Sequence, residues 1–439
     1  MSKFSPISEN DRLVNIDVIR GAALLGILMM NIPLFAMQDY YSEPWSADTS
    51  NINFWYDALV TTLFEGKMRA LFSMIFGVGV LLFTMRKEDT GWQVTGLYYK
   101  RMIWLILFGL ADAHLLLWIG DILYVYGVCG LIAYLMRKLK PIYLAAGIPL
   151  VSIIGFCSAT YFMQGIRTQL LAYNDAKAAQ EKNITLSEDQ KKALADWREV
   201  EKEFIPNKED AADHTRKMKS DYATVASYIR PEAWKAQTEY LVYEIWDPLA
   251  LMLLGMALFK WGFLSGEWPR KKYLKTLFIS YGIGLPLVIF SYAYNVIHVP
   301  TTAAFLRHLA DHPVNWVDLT YDAQRILISL GHASAILLML KSGVLSGFTK
   351  RLAAIGRMAF TNYVMQSIFC SLIFFGYGLN FFGELEYYQL FYVVAAVWLF
   401  QLWFSPLWLR GFLFGPLEWV WRTLTYWKLQ PFRRHTPGP

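Results

Sequence analysis

The sequence is poor in charge and in cysteine. Only 17% of its 439 residues are charged, whereas 55% are hydrophobic, and it has three cysteines. Soluble globular chains average about 25% charged residues, so a chain of this length with so few is not typical of a soluble protein. All three cysteines, Cys129, Cys157 and Cys370, lie in apolar runs, which argues against a disulfide framework or a cysteine-based zinc site. The composition indicates burial in lipid.

The sequence also lacks a glycine-rich phosphate loop, an internal repeat and a low-complexity tract. Its net charge of +6 comes from short basic clusters that lie between apolar runs. That distribution is typical of membrane topology, so we expect no nucleic-acid partner. The 17 Trp and 26 Tyr residues fit side chains that sit where hydrocarbon meets water.

Ten apolar segments are long enough to be candidate membrane spans, because a bilayer core of about 30 Å needs about 20 helical residues. The shortest is 121–136, which contains Gly127 and Gly130 and forms a tight hairpin with the preceding segment around Gly120. The predicted spans are 19–37, 68–86, 102–119, 121–136, 142–164, 242–264, 273–297, 323–342, 353–377 and 387–409.

The distribution of lysine and arginine predicts the orientation of these spans, because basic residues concentrate in cytoplasmic loops. One set of loops carries Arg86, Lys87, Lys100, Arg101, Arg137, Lys138, Lys140, Arg270, Lys271, Lys272, Lys275, Lys350, Arg351, Arg357, Arg410, Arg422, Lys428, Arg433 and Arg434. The alternate loops carry mainly acids, including Asp39, Glu43, Asp48, Asp57, Asp318, Asp322, Glu384 and Glu386. We therefore predict an all-α polytopic protein of a bacterial plasma (inner) membrane, with about ten transmembrane helices and both termini cytoplasmic.

This topology divides the chain into four parts. Residues 1–164 hold the first five spans, 165–241 form a soluble extracytoplasmic insertion, 242–409 hold the last five spans, and 410–439 form a cytoplasmic interfacial tail. The insertion is rich in Lys, Glu, Asp and Ala, and it predicts amphipathic helices over 185–204 and 207–228 that begin near Ser187 and Asn207. It could be a solvated cap or a lid over an outward-facing site.

Ionisable residues near or inside the spans are candidate functional groups, because a charge at mid-bilayer costs about 2.5–3.5 kcal/mol on insertion scales. Asp17 and Arg20 are three residues apart on the first span and share a helical face. They could form an ion pair that fixes the helix end, or Arg20 could face an anionic substrate that Asp17 helps to orient. Lys67 and Arg69 break the charge rule on the predicted outer side, which favours a polar cavity there.

His114 and Asp121 flank the hairpin between the third and fourth predicted spans. A histidine next to a carboxylate can act as a general base, so we predict His114 as the catalytic base and Asp121 as the residue that orients it. The alternative is a polar cluster at a helix end. One histidine with an aspartate is a weak metal signature, and no metal is predicted. A second histidine within a span, His332, is expected to pack against a neighbouring helix.

Two further polar pairs complete the set of substrate-binding candidates. Asn362 and Gln366 are four residues apart and share a face; they could bind substrate or hydrogen-bond between helices. Glu418 and Arg422, also four apart, are expected to form an ion pair on a Trp-rich interfacial helix. We expect this helix to close the cytoplasmic side.

Taken together, five strings resemble the YeiB-like family of bacterial membrane proteins, a domain of unknown function (number 418). They run from residue 17 to residue 426 and are Asp17–Asn31 (DVIRGAALLGILMMN), Phe64–Gly79 (FEGKMRALFSMIFGVG), His114–Tyr126 (HLLLWIGDILYVY), Gly356–Ser367 (GRMAFTNYVMQS) and Gly415–Tyr426 (GPLEWVWRTLTY). The opening Asp17-x-x-Arg20-Gly21 is also similar to that of membrane-embedded acyltransferases such as heparan-α-glucosaminide N-acetyltransferase. That likeness implies transfer of an acyl group from cytoplasmic acyl-CoA to an acceptor on the far side, with a histidine as base.

Three functions are therefore expected from the sequence. The first is a transmembrane acyltransferase with acyl-CoA as donor and a small-molecule or lipid-linked acceptor. In it, Arg20, Lys67 and Arg69 would line a path for the CoA phosphates or the pantetheine arm. The alternatives are a transporter or exporter of a small polar molecule, and a non-catalytic membrane scaffold or sensor. The lipid bilayer is the expected environment, and a homodimer is left open.

Overall fold

The chain folds into α-helices joined by short loops. A computed structural model describes residues 13–37, 48–85, 92–204 and 208–434, and it contains no β-strand within them. Asp39, Glu43, Arg86, Lys87 and Asn207, named above, lie outside the described residues. The α-helices are α1 (Val14–Ala36), α2 (Ile52–Leu63), α3 (Lys67–Met85), α4 (Trp92–Leu115), α5 (Leu123–Met136), α6 (Pro141–Ala145), α7 (Gly147–Glu181), α8 (Glu188–Phe204), α9 (Lys208–Met218), α10 (Tyr222–Thr238), α11 (Leu241–Glu244), α12 (Trp246–Lys260), α13 (Arg270–His298), α14 (Thr302–Asp311), α15 (Tyr321–Ser342), α16 (Ser346–Arg357), α17 (Ala359–Phe374), α18 (Leu390–Gly411) and α19 (Pro416–Tyr426).

Each of the ten predicted spans falls on helix, which confirms the all-α membrane class. Within the described ranges, seven helical stretches are long and apolar enough to cross a bilayer, and α5 and α17 are shorter apolar helices. The remaining predicted span lies on α4, which also carries Lys100, Arg101 and Asp112. The number of crossings and their direction stay predictions.

Several helix boundaries differ from the predicted ones. The segment 353–377 is divided between α16 and α17, which meet at Met358. The segment 142–164 is the start of a longer unit, because α7 continues without a break to Glu181. The second predicted span is preceded by the separate helix α2, and Gly66 turns the chain between the two with a positive φ of 69°.

The helices form a buried centre and an exposed periphery. In α1, 72% of the apolar window is buried, whereas the corresponding values are 6% for Pro141–Glu181 and 17% for α13. The centre depends on a close crossing of α1 and α16. A Cβ on Gly21 would lie 2.1 Å from the Leu352 carbonyl oxygen, and one on Gly356 would lie 1.9 Å from the Asp17 carbonyl oxygen. Small residues of this kind let membrane helices approach closely.

The insertion is helical, as predicted, but one of its predicted helices is wrong. Ser187 begins α8 with a reciprocal pair of hydrogen bonds: its Oγ accepts from Gln190 N at 3.2 Å, and Gln190 Oε1 accepts from Ser187 N at 3.0 Å. The predicted helix 207–228 is instead interrupted after Met218, because the Asp221 carboxylate accepts from Thr224 N at 2.8 Å and starts α10 as its N-cap.

The insertion contacts the ends of two membrane helices. Arg230 Nε donates to the His114 carbonyl oxygen at 2.9 Å, which places α10 against the end of α4. Gly376 N donates to the Met218 carbonyl oxygen at 2.8 Å, just after α17 ends. The insertion is therefore packed on the membrane part rather than extended away from it.

Candidate functional site

A cavity of about 260 Å³ lies where the first turns of α1 and the N-terminal half of α4 meet α19. Four arginines, Arg20, Arg101, Arg357 and Arg422, line it, and it is called the Arg-lined cavity below. Its walls are otherwise largely apolar and include aromatic side chains from α3, α5 and α17. These helix ends are the ones predicted to face the cytoplasm.

The Arg-lined cavity brings together four residues that the sequence singled out: Asp17, Arg20, Glu418 and Arg422. The predicted pairing of Asp17 with Arg20 is confirmed, since Arg20 Nη1 lies 2.9 Å from Asp17 Oδ1. The same nitrogen donates to the Gly356 carbonyl oxygen at 3.2 Å. Arg20 is therefore fixed to α16 as well as to its own helix.

The expected ion pair between Glu418 and Arg422 is wrong. Glu418 instead accepts hydrogen bonds at the start of α17: Oε1 accepts from Phe360 N at 2.7 Å and from Thr361 N at 3.1 Å, and Oε2 from Thr361 Oγ1 at 2.5 Å. The free N–H groups of a helix start favour a carboxylate over an i, i+4 surface pair. Burial raises the pKa of the Glu418 carboxyl, while the hydrogen bonds from Thr361 act in the opposite direction.

Arg101 and Arg357 were read from the sequence only as basic residues of cytoplasmic loops. In the structure the Arg101 guanidinium lies 3.7 Å from the Trp421 ring centroid, and Trp421 Nε1 donates to the Arg101 carbonyl oxygen at 2.9 Å. The Arg422 guanidinium lies 4.3 Å from the Phe414 ring centroid. Nothing local marks Arg101 as a cavity residue, because its position depends on α19 folding back onto α4.

A second, larger cavity of about 1450 Å³ lies among α7, α12, α14 and α15; it is called the wide cavity below. Arg69 and Asp121 line it, together with Glu244, Asp247 and Arg325. The insertion contributes Ala236 and Gln237. The polar cavity that Lys67 and Arg69 favoured is therefore present at Arg69. Lys67 is buried instead, and its Nζ donates to the Thr61 carbonyl oxygen at 2.5 Å.

Asp121 and His114 do not contact each other in the structure. Asp121 accepts from Leu123 N at 3.1 Å and from Tyr124 N at 2.9 Å, so it caps the start of α5, and its carboxyl faces that of Asp112. His114 Nε2 lies 2.9 Å from Gln237 Oε1. The hairpin brings the two residues to the same end of the molecule, but the histidine hydrogen-bonds with Gln237 of α10 and not with Asp121.

Asp112 is a buried acid near the end of α4, just before the same hairpin. It is 2% exposed, its Oδ2 accepts from Ser367 Oγ at 3.3 Å, and its Oδ1 has no hydrogen-bond partner among the described residues. Two adjacent buried carboxyls are far more stable when they hold one proton between them than when both are ionised. Asp121 is the member of this pair that lines the wide cavity.

Tyr126 lines both cavities and separates them. Its hydroxyl lies 2.5 Å from Ser73 Oγ, which links α5 to α3 at this point. Tyr363 also lines the Arg-lined cavity; its hydroxyl oxygen accepts from Trp118 Nε1 at 2.9 Å and from Ile122 N at 3.1 Å. Tyr126 is therefore a residue that the two cavities share.

Asn362 and Gln366 line neither of these two cavities. Asn362 Nδ2 donates to Ser405 Oγ at 3.0 Å, and Gln366 Nε2 donates to Gln401 Oε1 at 3.2 Å. Gln401 Nε2 in turn donates to the Asn362 carbonyl oxygen at 2.8 Å. These contacts join α17 to α18, so the two side chains hydrogen-bond between helices, which was the alternative to substrate binding. His332 also packs between helices, with Nε2 2.9 Å from the Leu63 carbonyl oxygen.

The fold and the two cavities define an all-α polytopic membrane protein with a basic cavity at one end.

Residues 258–428 match a family described as "Protein of unknown function (DUF418)". The chain is 29% identical to the uncharacterized protein YxaH of Bacillus subtilis over 445 aligned positions, which cover 99% of this chain and 100% of YxaH. It is 28% identical to the uncharacterized protein YeiB of Escherichia coli, over 94% of this chain and 96% of YeiB. No solved structure matches it significantly. The DUF418 match and the full-length similarity to YxaH and YeiB support a YeiB-like DUF418 family for this chain.

Proposed function

We propose that this protein transfers an acyl group from acyl-CoA, bound in the Arg-lined cavity, to an acceptor in the wide cavity. The observation that carries the proposal is the position of Tyr126 between the two cavities. A donor and an acceptor that enter from opposite sides would meet at this residue. The chemistry then needs no movement of either whole substrate across the membrane.

The charges of the Arg-lined cavity suit the donor. The guanidinium groups of Arg20, Arg101, Arg357 and Arg422 outnumber the carboxylates of Asp17 and Glu418. Asp17 is paired with Arg20, and Glu418 accepts hydrogen bonds from the start of α17. Guanidinium groups bind phosphates with well-defined geometry, and the apolar walls accommodate the pantetheine arm and an acyl chain.

The transfer itself requires one bond to form and one to break. A lone pair on the acceptor nitrogen or oxygen attacks the thioester carbonyl carbon, the C–S bond breaks, and the proton of the acceptor passes to a base. CoA leaves as a thiolate and takes up a proton. Asp121 is the candidate base that lines the wide cavity directly, with Asp112 behind it. His114 remains the alternative base, and it reaches the cavity through Gln237.

The test uses purified full-length protein in detergent, with acetyl-CoA and a longer acyl-CoA as ligands. We expect saturable binding by calorimetry and a loss of affinity of at least tenfold in Arg357→Gln and Arg422→Gln. Arg410→Gln removes an exposed arginine at the same end of the molecule and should bind normally. Absence of binding at millimolar acyl-CoA would overturn the proposal.

Release of CoA thiol in the presence of ethanolamine, used as an amine probe, tests the chemical step. Asp121→Asn should retain acyl-CoA binding while thiol release falls at least tenfold. His114→Ala measures the competing assignment in the same assay. If neither substitution lowers thiol release while acyl-CoA still binds, both proposed bases are wrong.

Transport of a small polar molecule is the second candidate, because Tyr126 lines both cavities and its movement would connect them. Intramembrane acids such as Asp112 and Asp121 are typical of proton-coupled transport. Proteoliposomes discriminate between the two functions. Substrate flux without release of CoA thiol would favour the transporter, and flux indifferent to Asp121→Asn would count against it.

A further inference from the structure

Arg69 lies in the wide cavity with its guanidinium group available to a ligand. The residue is exposed to the cavity, and its side chain makes no hydrogen bond or ion pair with any described residue. Its backbone, by contrast, is fixed, since its carbonyl oxygen accepts from Ser73 Oγ at 2.9 Å. The Arg69 backbone is thus held in place, while its guanidinium group has no hydrogen-bond partner among the described residues.

Glu244 provides an opposite charge in the same cavity. Its carboxylate is close enough to Arg69 to feel the positive charge, but the two do not hydrogen-bond, and Glu244 has no other hydrogen-bond partner among the described residues. An opposed pair of charges that do not satisfy each other is the arrangement expected of a site for a ligand that carries both signs. Such a ligand places its anionic group at Arg69 and its cationic group at Glu244.

The other charges of the wide cavity are already paired within the protein. Arg325 forms ion pairs with Asp247 and Asp322, and Ser152 Oγ donates to Asp322. Asp318 Oδ1 accepts from Asn315 Nδ2 at 3.0 Å. Among the described lining residues, acids outnumber arginines, so a ligand with only negative charge would be poorly matched. A ligand with an amine fits better.

The wall formed by α7 suits an apolar chain. Leu150, Ile154 and Met163 line the wide cavity, while Ile153 and Tyr161 are 56% and 84% exposed on the outside of the molecule. Since α7 is predicted to lie in the membrane, its exposed side chains face lipid. On this side, one helix therefore separates the cavity from the predicted lipid.

We infer that the wide cavity binds a zwitterionic amphiphile whose head group carries a primary amine and an anionic group such as phosphate. The anionic group binds Arg69, the ammonium binds Glu244, and the apolar chain lies along α7. This inference deepens the proposed function, on which it rests only for the further statement that the amine is the acyl acceptor. In that step the ammonium first gives one proton to Asp121; the neutral amine then bonds to the acyl carbon as the C–S bond breaks, and its second proton passes to the departing CoA thiolate.

Native mass spectrometry of the full-length protein in detergent, without acyl-CoA, tests the binding. The probes are a short-chain phosphoethanolamine lipid, a phosphoglycerol lipid of the same chain length, and soluble phosphoethanolamine. We expect the phosphoethanolamine lipid to bind at least tenfold more tightly than the other two. Arg69→Gln should weaken the binding of both lipids, whereas Glu244→Gln should remove the preference and leave phosphoglycerol lipid binding unchanged.

Matched controls lie on the insertion, where Arg198→Gln and Glu181→Gln make the same charge changes at exposed positions. Both should bind all three probes as the unmodified protein does. Arg69→Lys, which keeps the charge, should retain part of the affinity and thus separates a binding role from a folding defect. Equal affinity for the two lipids, or soluble phosphoethanolamine binding as tightly as the lipid, would overturn the inference. Because no CoA is present, failure here is distinct from failure of acyl transfer.

Discussion

Glu418 of the C-terminal helix holds the first turn of α17 through Thr361, with Oε2 2.5 Å from Thr361 Oγ1. Thr361 Oγ1 also accepts from Leu417 N at 3.1 Å, so the two segments are joined in both directions. Because α17 also carries Tyr363, the tail fixes a helix that lines the Arg-lined cavity.

Removal of this cap should destabilise the protein. We expect Glu418→Ala to lower the free energy of unfolding by about 1–3 kcal/mol, since it leaves helix-start N–H groups without a partner. Thermal unfolding in detergent measures the loss, and Glu267→Ala, at an exposed acid, should be neutral. In a double-mutant cycle, Glu418→Ala and Thr361→Val should be clearly non-additive. Additive effects would show that the two side chains do not act together.

The crossing of α1 and α16 should not tolerate a methyl group. In Gly21→Ala and Gly356→Ala the added Cβ would meet backbone atoms, so the helices must separate, at a cost of about 1–3 kcal/mol or more. Gly282→Ala is the matched control, because a Cβ there meets nothing within 4 Å. Melting temperatures measured side by side decide the point. Equal stability of the three variants would contradict the observed crossing.

Acyl-CoA binding should weaken as salt is added. Arginine–phosphate attraction is screened at distances beyond about 8 Å at physiological ionic strength, and partly exposed pairs lose affinity as salt rises. We expect the dissociation constant to increase several-fold between 50 and 500 mM NaCl, on the order expected for phosphate contacts. The dependence should be shallower in Arg422→Gln and unchanged in Arg410→Gln. A salt-independent dissociation constant would indicate that binding is apolar only.

The start of α10 should become less stable in acid. The backbone hydrogen bond from Thr224 lowers the pKa of Asp221 below its ordinary value of 3.8. A depressed carboxyl pKa stabilises the fold above the unfolded pKa, and this stabilisation is lost as the pH falls through the folded pKa. Hydrogen exchange in α10, corrected for intrinsic rates, should therefore accelerate below about pH 4. Asp221→Asn keeps a cap without a titrating group and should show no such change.

The predicted topology can be tested with single cysteines. After replacement of Cys129, Cys157 and Cys370 by serine, Lys192→Cys lies on the insertion and Lys271→Cys at the start of α13. A membrane-impermeant maleimide should label the first in intact cells and the second only after permeabilisation. Labelling of both positions from outside would contradict an odd number of crossings between them.

Much of the fold could be predicted from the sequence because apolar length and helix capping are local properties. Ser187 marked the start of α8 correctly, and every predicted span lies on helix. The division of 353–377 at Met358 was missed, since it results from Glu418 capping the second helix from 58 residues away. Composition carries no trace of such a contact.

The candidate site was only partly predictable for the same reason. The i, i+3 spacing of Asp17 and Arg20 correctly predicted their ion pair. The i, i+4 spacing of Glu418 and Arg422 predicted an ion pair that the structure does not contain. The proximity of His114 and Asp121 in the sequence suggested a contact, but Gln237, from the far end of the insertion, occupies the histidine. In each wrong prediction, the side chain contacts a residue that is distant in the sequence instead of the expected neighbour.

The unbroken course of α7 has a mechanical consequence. Its 35 residues extend for about 52 Å as one helix, from the wall of the wide cavity to its packing against α8 in the insertion, where Tyr173 stacks on the buried Trp197. A continuous helix transmits tilt from one end to the other. A partner that binds the insertion outside the membrane and tilts α7 would therefore widen or narrow the wide cavity without contacting it.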